Sequence, residues 1–244
     1  MVHHSLLRVQ NRLQKRPRES DDSHTSTQPP TKRFKPDYSN NLITVLVGSA
    51  EKEFLVHQAT ICRNSPFFEA ACSREWKEGQ DRVVRLPEVE VQAFDVYVHW
   101  AYTGEIDMSL MPEPKGTRRP PSYLDLGKIW CLAHYLQNDQ LCNSVIDRIL
   151  VKLNGTSRGV RGSSMQWVLD NTSTDSGLQR LLLDTESSRV TEKYFEKRHD
   201  RYPRAVIFEF AKRFAAGKVP QRPGPTYEDR CRYHTHKEGE GECI

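Results

Sequence analysis

What this 244-residue sequence lacks narrows its function before anything it contains. It has no P-loop, no G-x-S-x-G, no H-E-x-x-H and no G-x-G-x-x-G, so no familiar pattern for phosphate, acyl, metallopeptidase or dinucleotide chemistry is present, and a non-enzymatic role is expected. The cleanest apolar runs, around Leu42 to Val47 and Ala205 to Phe208, fall far short of the roughly 20 residues that span a bilayer. No membrane partner is expected. No hydrophobic secretory segment stands ahead of the six cysteines (62, 72, 131, 142, 231 and 243), which points to a reducing compartment, nucleus or cytoplasm. Repeats at solenoid periods are missing, which argues against an array. Apolar residues are scarce at 36%, so a core of modest extent accompanied by unpacked sequence is expected.

Charge is unevenly placed. Residues 1 to 36 hold eight basic side chains (Arg8, Arg12, Lys15, Arg16, Arg18, Lys32, Arg33, Lys35) against three acidic ones (Glu19, Asp21, Asp22). The remaining 28 basic and 29 acidic residues nearly cancel. The folded part therefore offers no basic groove, and direct nucleic-acid binding by it is not expected. The head, residues 1–37, is also almost free of aromatics and rich in Ser, Thr, Gln and Pro, so it cannot bury enough surface to offset the entropy of ordering and reads as disordered. Its clusters "KRPR" (15–18) and "KRFK" (32–35) have the spacing of a bipartite nuclear import signal, although basic tails also occur without that role.

From there the pattern turns structural. "LITVLVGSAEKEFLVH" is a β-hairpin, with strands over Leu42 to Val47 and Glu53 to Val56 bridged by residues 48 to 52; the first strand is apolar at almost every position and is expected to be covered on both faces. One helical turn ends near Arg63. Ser65 is placed to cap a second helix that starts at Pro66, where a missing N–H costs nothing, and runs to about residue 73. "DRVVRLPEV" is a third strand. A helix over "VQAFDVYVHWAY" puts Phe94, Val98 and Ala101 on one face with Val91 and Tyr97 beside it, and Gly104 ends it. After a proline-dense loop at 109–121, two amphipathic helices separated by Asn138 and Asp139 carry the stripes Leu126, Ile129, Ala133 and Leu141, Val145, Ile149. Residues 155–164 break the pattern, and "SGLQRLLLD" and "PRAVIFEFAKRFA" are weaker helical segments, the latter with Pro203 at its first position.

This order of elements, with "LITVLVG", "FLVHQATICRNSPFF", "VVRLPEV" and "FDVYVHWAYTGEI", resembles the BTB/POZ fold over about residues 38–154, and the whole is similar to BTB proteins of filamentous fungi. The resemblance implies an α/β (α+β) fold, a small mixed sheet surrounded by about five helices; outside it, the residues themselves read as a helical extension at 155–226 and a Cys/His-containing tail at 227–244. The resemblance also implies an interaction module that forms a homodimer or BTB heterodimer through its first strand and early helices and often recruits a cullin ubiquitin-ligase scaffold. His57 stands where the family has the histidine that fixes the strand-to-helix turn. In cullin-binding members a hydrophobic-x-Glu motif lies between the second helix and the third strand, and Trp76, Lys77 and Glu78 occupy that place. Two readings of Trp76 follow: it inserts into an apolar pocket of a cullin with Glu78 at the rim, or it folds back over its helix and shields the core. Repressor-type members carry an Asp and a basic residue where this chain has Leu42 and Gln58, so the charged corepressor pocket is not reproduced. An adaptor for a cullin ligase is the leading expectation, and a nuclear scaffold that never meets a cullin is the alternative.

The tail "CRYHTHKEGEGEC" gathers Cys231, His234, His236 and Cys243. Fifteen His and Cys in 244 residues would place about 0.8 in an average window of thirteen, and this one holds four. Two thiolates and two imidazoles suit tetrahedral zinc, Cys-x-x-His is a workable spacing, and Gly239 and Gly241 would let the chain return. Against this, His-x-His with one distant Cys matches no familiar zinc motif. A flexible polar tail with incidental cysteines is the reading adopted, with no metal and no cofactor assigned.

Overall fold

The computed structural model describes residues 41–73, 81–111, 122–155, 159–217, 224–236 and 243. Strands β1 (Leu42–Val47) and β2 (Lys52–His57) form an antiparallel hairpin, and β3 (Val83–Leu86) adds in parallel on the other side of β1. The sheet is mixed, with strand order β2-β1-β3. Around it stand α1 (Gln58–Cys62), α2 (Pro66–Ala71), α3 (Val91–Thr103), α4 (Tyr123–Tyr135) and α5 (Asp139–Asn154), with a short 3₁₀ turn at Met108–Leu110. This is the α/β arrangement expected from the sequence, five α-helices against a small mixed sheet among the described residues.

Local chemistry sets the boundaries. Ser65 caps α2, its Oγ accepting from the Phe68 N–H at 3.2 Å, and Pro66 opens the helix. Gly104 closes α3 at φ 77°, a left-handed conformation that a side chain disfavours, with its N–H on the Trp100 carbonyl at 2.7 Å. Ser122 and Asp125 form a reciprocal capping box on α4. Asn138 caps α5 through Oδ1 and the Leu141 N–H, 2.9 Å, so the pair read as a separator supplies the cap and the first residue of the next helix.

Three expectations need correcting. β1 alternates: Ile43, Val45 and Val47 are buried while Leu42, Thr44 and Leu46 are half-buried, so only one face is fully covered. A two-residue side-chain period allows this even where both faces are apolar. The buried face of α3 is Ala93, Phe94, Val96, Tyr97 and Trp100, whereas Val98 and Ala101 are half-buried. The stripe is turned toward the aromatic cluster, where Phe94 and Tyr97 stack at 5.7 Å and Phe68 and Tyr97 at 6.1 Å. Pro203 is the residue before the last helix and caps it without entering it.

The C-terminal third is more ordered than its composition suggests. It contains α6 (Gly162–Asn171), α7 (Gly177–Arg189), α8 (Glu192–Arg198) and α9 (Arg204–Ala215), then a 3₁₀ segment over Tyr227–Arg232. α6 packs on α4, α7 on α5 and α6, and α9 on α6 and α7. A single hydrophobic core runs from Ile43 in β1 through Leu126, Ile149, Val168 and Leu181 to Tyr233. The core is therefore larger than the apolar fraction implied, because the scarce apolar residues are concentrated in the described helices. Among the described residues no helix is long and apolar enough to cross a membrane.

Candidate functional site

Trp76 and Glu78, the residues expected to contact a cullin, lie outside the described residues, as does the basic head. What brackets Trp76 and Glu78 is fixed firmly. Phe67 and Phe68 are buried. Ser65, 1% exposed, both caps α2 and donates its hydroxyl to the Leu136 carbonyl at 2.6 Å, tying the helix to the α4–α5 turn 71 residues away. On the far side, β3 is held in the sheet by the register Thr44↔Val83 to Val47↔Leu86. His57 serves structure: Tyr102 Oη is 2.9 Å from its backbone N and 2.8 Å from Nδ1, which fastens the end of β2 to α3.

Pairing through the first strand is not open to this fold. β1 is the central strand, paired with β2 along its length and with β3 over Thr44–Val47, so among the described residues it has no continuous edge to offer a partner. The face of the sheet opposite the core is available instead. It carries Leu42, Thr44 and Leu46 of β1 beside Leu55 of β2, and Leu55 is 67% exposed.

The second cluster forms in the tail. Thr226 opens the 3₁₀ segment, its N–H donating to Asp229 Oδ2 at 2.9 Å. Tyr233 is buried and donates its hydroxyl to Asp184 Oδ2 at 2.9 Å, and Asp184 also pairs with Arg213 of α9. Arg180 donates to the Arg232 carbonyl at 2.8 Å, and Asn143 of α5 clasps the Thr235 backbone with two bonds of 2.9 Å. These contacts seat the tail on α5 and α7, in place of the flexible segment expected. They bring Cys231, His236 and Cys243 together, with His234 beside Cys243. Ligand atoms of Cys231, His236 and Cys243 lie within 4.8 Å of one another. His236 Nε2 is 3.5 Å from Cys243 Sγ, and the Cys243 N–H donates to Cys231 Sγ at 2.8 Å. His234, its side chain only 6% exposed, has Nδ1 3.0 Å from Cys243 Sγ and Nε2 3.0 Å from Asp147 Oδ1.

Sequence reasoning missed Asn143 and Asp147. They stand four apart on α5, off the Leu141, Val145, Ile149 stripe, and read there as ordinary solvated polar residues. It also missed Glu186 of α7, 1% exposed, whose carboxylate accepts from the Val160 N–H at 2.7 Å and the Tyr202 hydroxyl at 2.9 Å. Burial raises the pKa of Glu186 above its ordinary 4.5, against the opposing pull of those two donors and of Arg189.

Comparison with known proteins bears on the first surface. The family model of the BTB/POZ domain matches residues 37–147. Kelch-like protein 17 of mouse, rat and human is in each case 34% identical over 65 residues, 27% of this chain and 10% of the relative. The chain thus spans about a tenth of the length of the curated relatives it matches.

Proposed function

Starting from a BTB/POZ domain at residues 37–147, we propose that this chain is a protein-interaction module that pairs with itself or a related domain and presents a client to a cullin ubiquitin ligase. The domain match carries the protein-interaction part. The cullin part rests on Trp76 and Glu78 standing in the family's hydrophobic-x-Glu position, between α2, which ends at Ala71, and β3, which begins at Val83. The similarity to a Kelch-like protein supports it. A tryptophan entering an apolar pocket is the type of contact that dominates an interface, worth about 2 kcal/mol or more on truncation. Glu78 would supply a charge-assisted hydrogen bond at the rim, strongest where water is excluded. Self-pairing would draw on the early helices and the open sheet face around Leu55, since β1 has no continuous free edge.

The test is co-precipitation from host cells of the full chain in two differently tagged copies. The expected result is that wild type brings down a cullin and its sister copy, while Trp76→Ala with Glu78→Ala keeps the sister copy and loses the cullin by at least about thirtyfold, the equivalent of 2 kcal/mol. Equal cullin recovery by the two proteins refutes the assigned contact. Sister-copy recovery with no cullin from either protein favours the other reading, a nuclear regulatory scaffold whose import would rest on the basic head.

A further inference from the structure

We propose that Cys231, His234, His236 and Cys243 form a zinc site that fastens the C-terminal tail to α5. The inference is independent of the cullin reading, because none of these four residues lies within 37–147 and the two residues of that segment that hold the tail, Asn143 and Asp147, bind no metal themselves.

The donor set selects the metal. Two thiolates and two imidazoles suit a soft-to-borderline cation in tetrahedral geometry, and zinc is the common occupant of such a set. The distances fit. With Zn–S near 2.3 Å and Zn–N near 2.05 Å, a tetrahedral centre places sulfur about 3.6 Å from nitrogen and about 3.8 Å from a second sulfur. Cys243 Sγ and His236 Nε2 are 3.5 Å apart, and the ligand atoms of Cys231, His236 and Cys243 all lie within 4.8 Å of one another, so a shift of about 1 Å at the widest pair brings the three onto one ion. His234 Nδ1, 3.0 Å from Cys243 Sγ, stands beside this trio and would turn toward the ion to become the fourth corner.

The surroundings are those of a metal site. A zinc-bound imidazole almost always gives its other ring N–H to a carboxylate, a backbone carbonyl or a water, which fixes the tautomer and raises its basicity. His234 does this: its Nε2 faces Asp147 at 3.0 Å. Thiolates bound to zinc are stabilised by backbone N–H donors, and Cys231 Sγ already accepts one from Cys243 at 2.8 Å. The site also has rigid support. Cys231 sits on the 3₁₀ segment, Tyr233 is anchored in the core, and Thr235, between the two histidines, is held by Asn143. Asp147 is a positioning residue, one helical turn beyond Asn143, so α5 holds the tail twice.

The test uses the full chain, purified under reducing conditions, stripped with a chelator and titrated with Co²⁺ as a spectroscopic stand-in for zinc. The expected result is one Co²⁺ per chain, with ligand-field bands of a tetrahedral centre and thiolate-to-cobalt charge-transfer absorption, displaced by one equivalent of Zn²⁺. Cys231→Ser and Cys243→Ser each weaken the charge-transfer band, and their combination abolishes it. Asp147→Asn keeps the tetrahedral spectrum while lowering affinity by about 10- to 100-fold, the usual effect of removing an outer-shell partner. A wild-type chain that binds no cobalt, binds it octahedrally without charge transfer, or holds Cys231 and Cys243 as a disulfide under those conditions overturns the proposal. These outcomes need no variant to fold.

Discussion

Ser65→Ala isolates how one hydroxyl joins two parts of the domain. The substitution keeps Cβ and leaves almost no cavity, so its effect is that of the hydroxyl's hydrogen bonds, which besides a contact with the Tyr97 hydroxyl are chiefly two. The first is the α2 cap to the Phe68 N–H, worth about 1 kcal/mol. The second is the bond to the Leu136 carbonyl; that carbonyl sits in the buried α4–α5 turn, and losing its donor there costs about 1–3 kcal/mol. The total is about 2–4 kcal/mol, a large share of the roughly 5–15 kcal/mol that holds an average protein folded. At about 2–4 °C per kcal/mol for a chain of this size, the thermal midpoint should fall by roughly 4–16 °C. Ser122→Ala is the internal reference. Ser122 caps α4 at a half-buried position with no long-range partner among its hydrogen bonds, so its loss should cost about 1 kcal/mol. Urea denaturation of both variants checks the reasoning through the midpoint at constant slope. If Ser65→Ala costs no more than Ser122→Ala, the bond to Leu136 contributes nothing and the account of how α2 is held is wrong.

Two further predictions concern the C-terminal helices. Because burial raises the folded pKa of Glu186 above 4.5, the folded protein takes up this proton more readily than the unfolded chain; the group's contribution is full below 4.5 and is lost as pH rises through the folded value. Glu186→Gln can still accept from Val160 and donate to Tyr202. It should therefore gain stability relative to wild type as pH rises from 4.5 to neutrality, and a difference between the two proteins that does not change over that range in urea titrations refutes this. Gly177→Ala would put a Cβ 2.1 Å from the Tyr233 carbonyl oxygen, closer than any real contact, so the tail must shift away from α7. Trypsin should then cut at Arg230 and Arg232 faster than in wild type, with a loss of about 1–3 kcal/mol; unchanged cleavage would show that the tail is not seated there.

The first half of the fold was legible because its signals are local. Ser65-Pro66, Gly104 and the stripes Leu126, Ile129, Ala133 and Leu141, Val145, Ile149 state their roles within a few residues, and each holds in the structure. α6 was not legible. It begins Gly162, Ser163, Ser164, a composition that locally favours coil, and only packing of Met165 and Val168 against α4 and α7 makes the helix the better state. Glu186 was opaque for the same reason: a charge on an apolar helix reads as its solvated edge until Val160 and Tyr202 fold over it. The tail fell between these cases. Its donor types were visible, but their convergence depends on Asn143 and Asp147 nearly ninety residues away, which no reading of local spacing can supply.

That convergence changes what the C-terminal third is. Asp147 is the last residue of the BTB/POZ match, and α5 buries Leu141, Val145 and Ile149 in the core while Asn143 and Asp147 hold the returning tail. Asp184 of α7 ties Tyr233 and Arg213 to the same assembly. With one shared core among the described residues, the helices after residue 155 are part of what keeps α5, and through α4 the Ser65 contact, in place. A ligand that binds only the docked tail must then stabilise the whole unit, by about 2.7 kcal/mol at a hundredfold excess over its dissociation constant. The tail is thus coupled to α2 through α5 and α4, and removing the tail should be felt at α2.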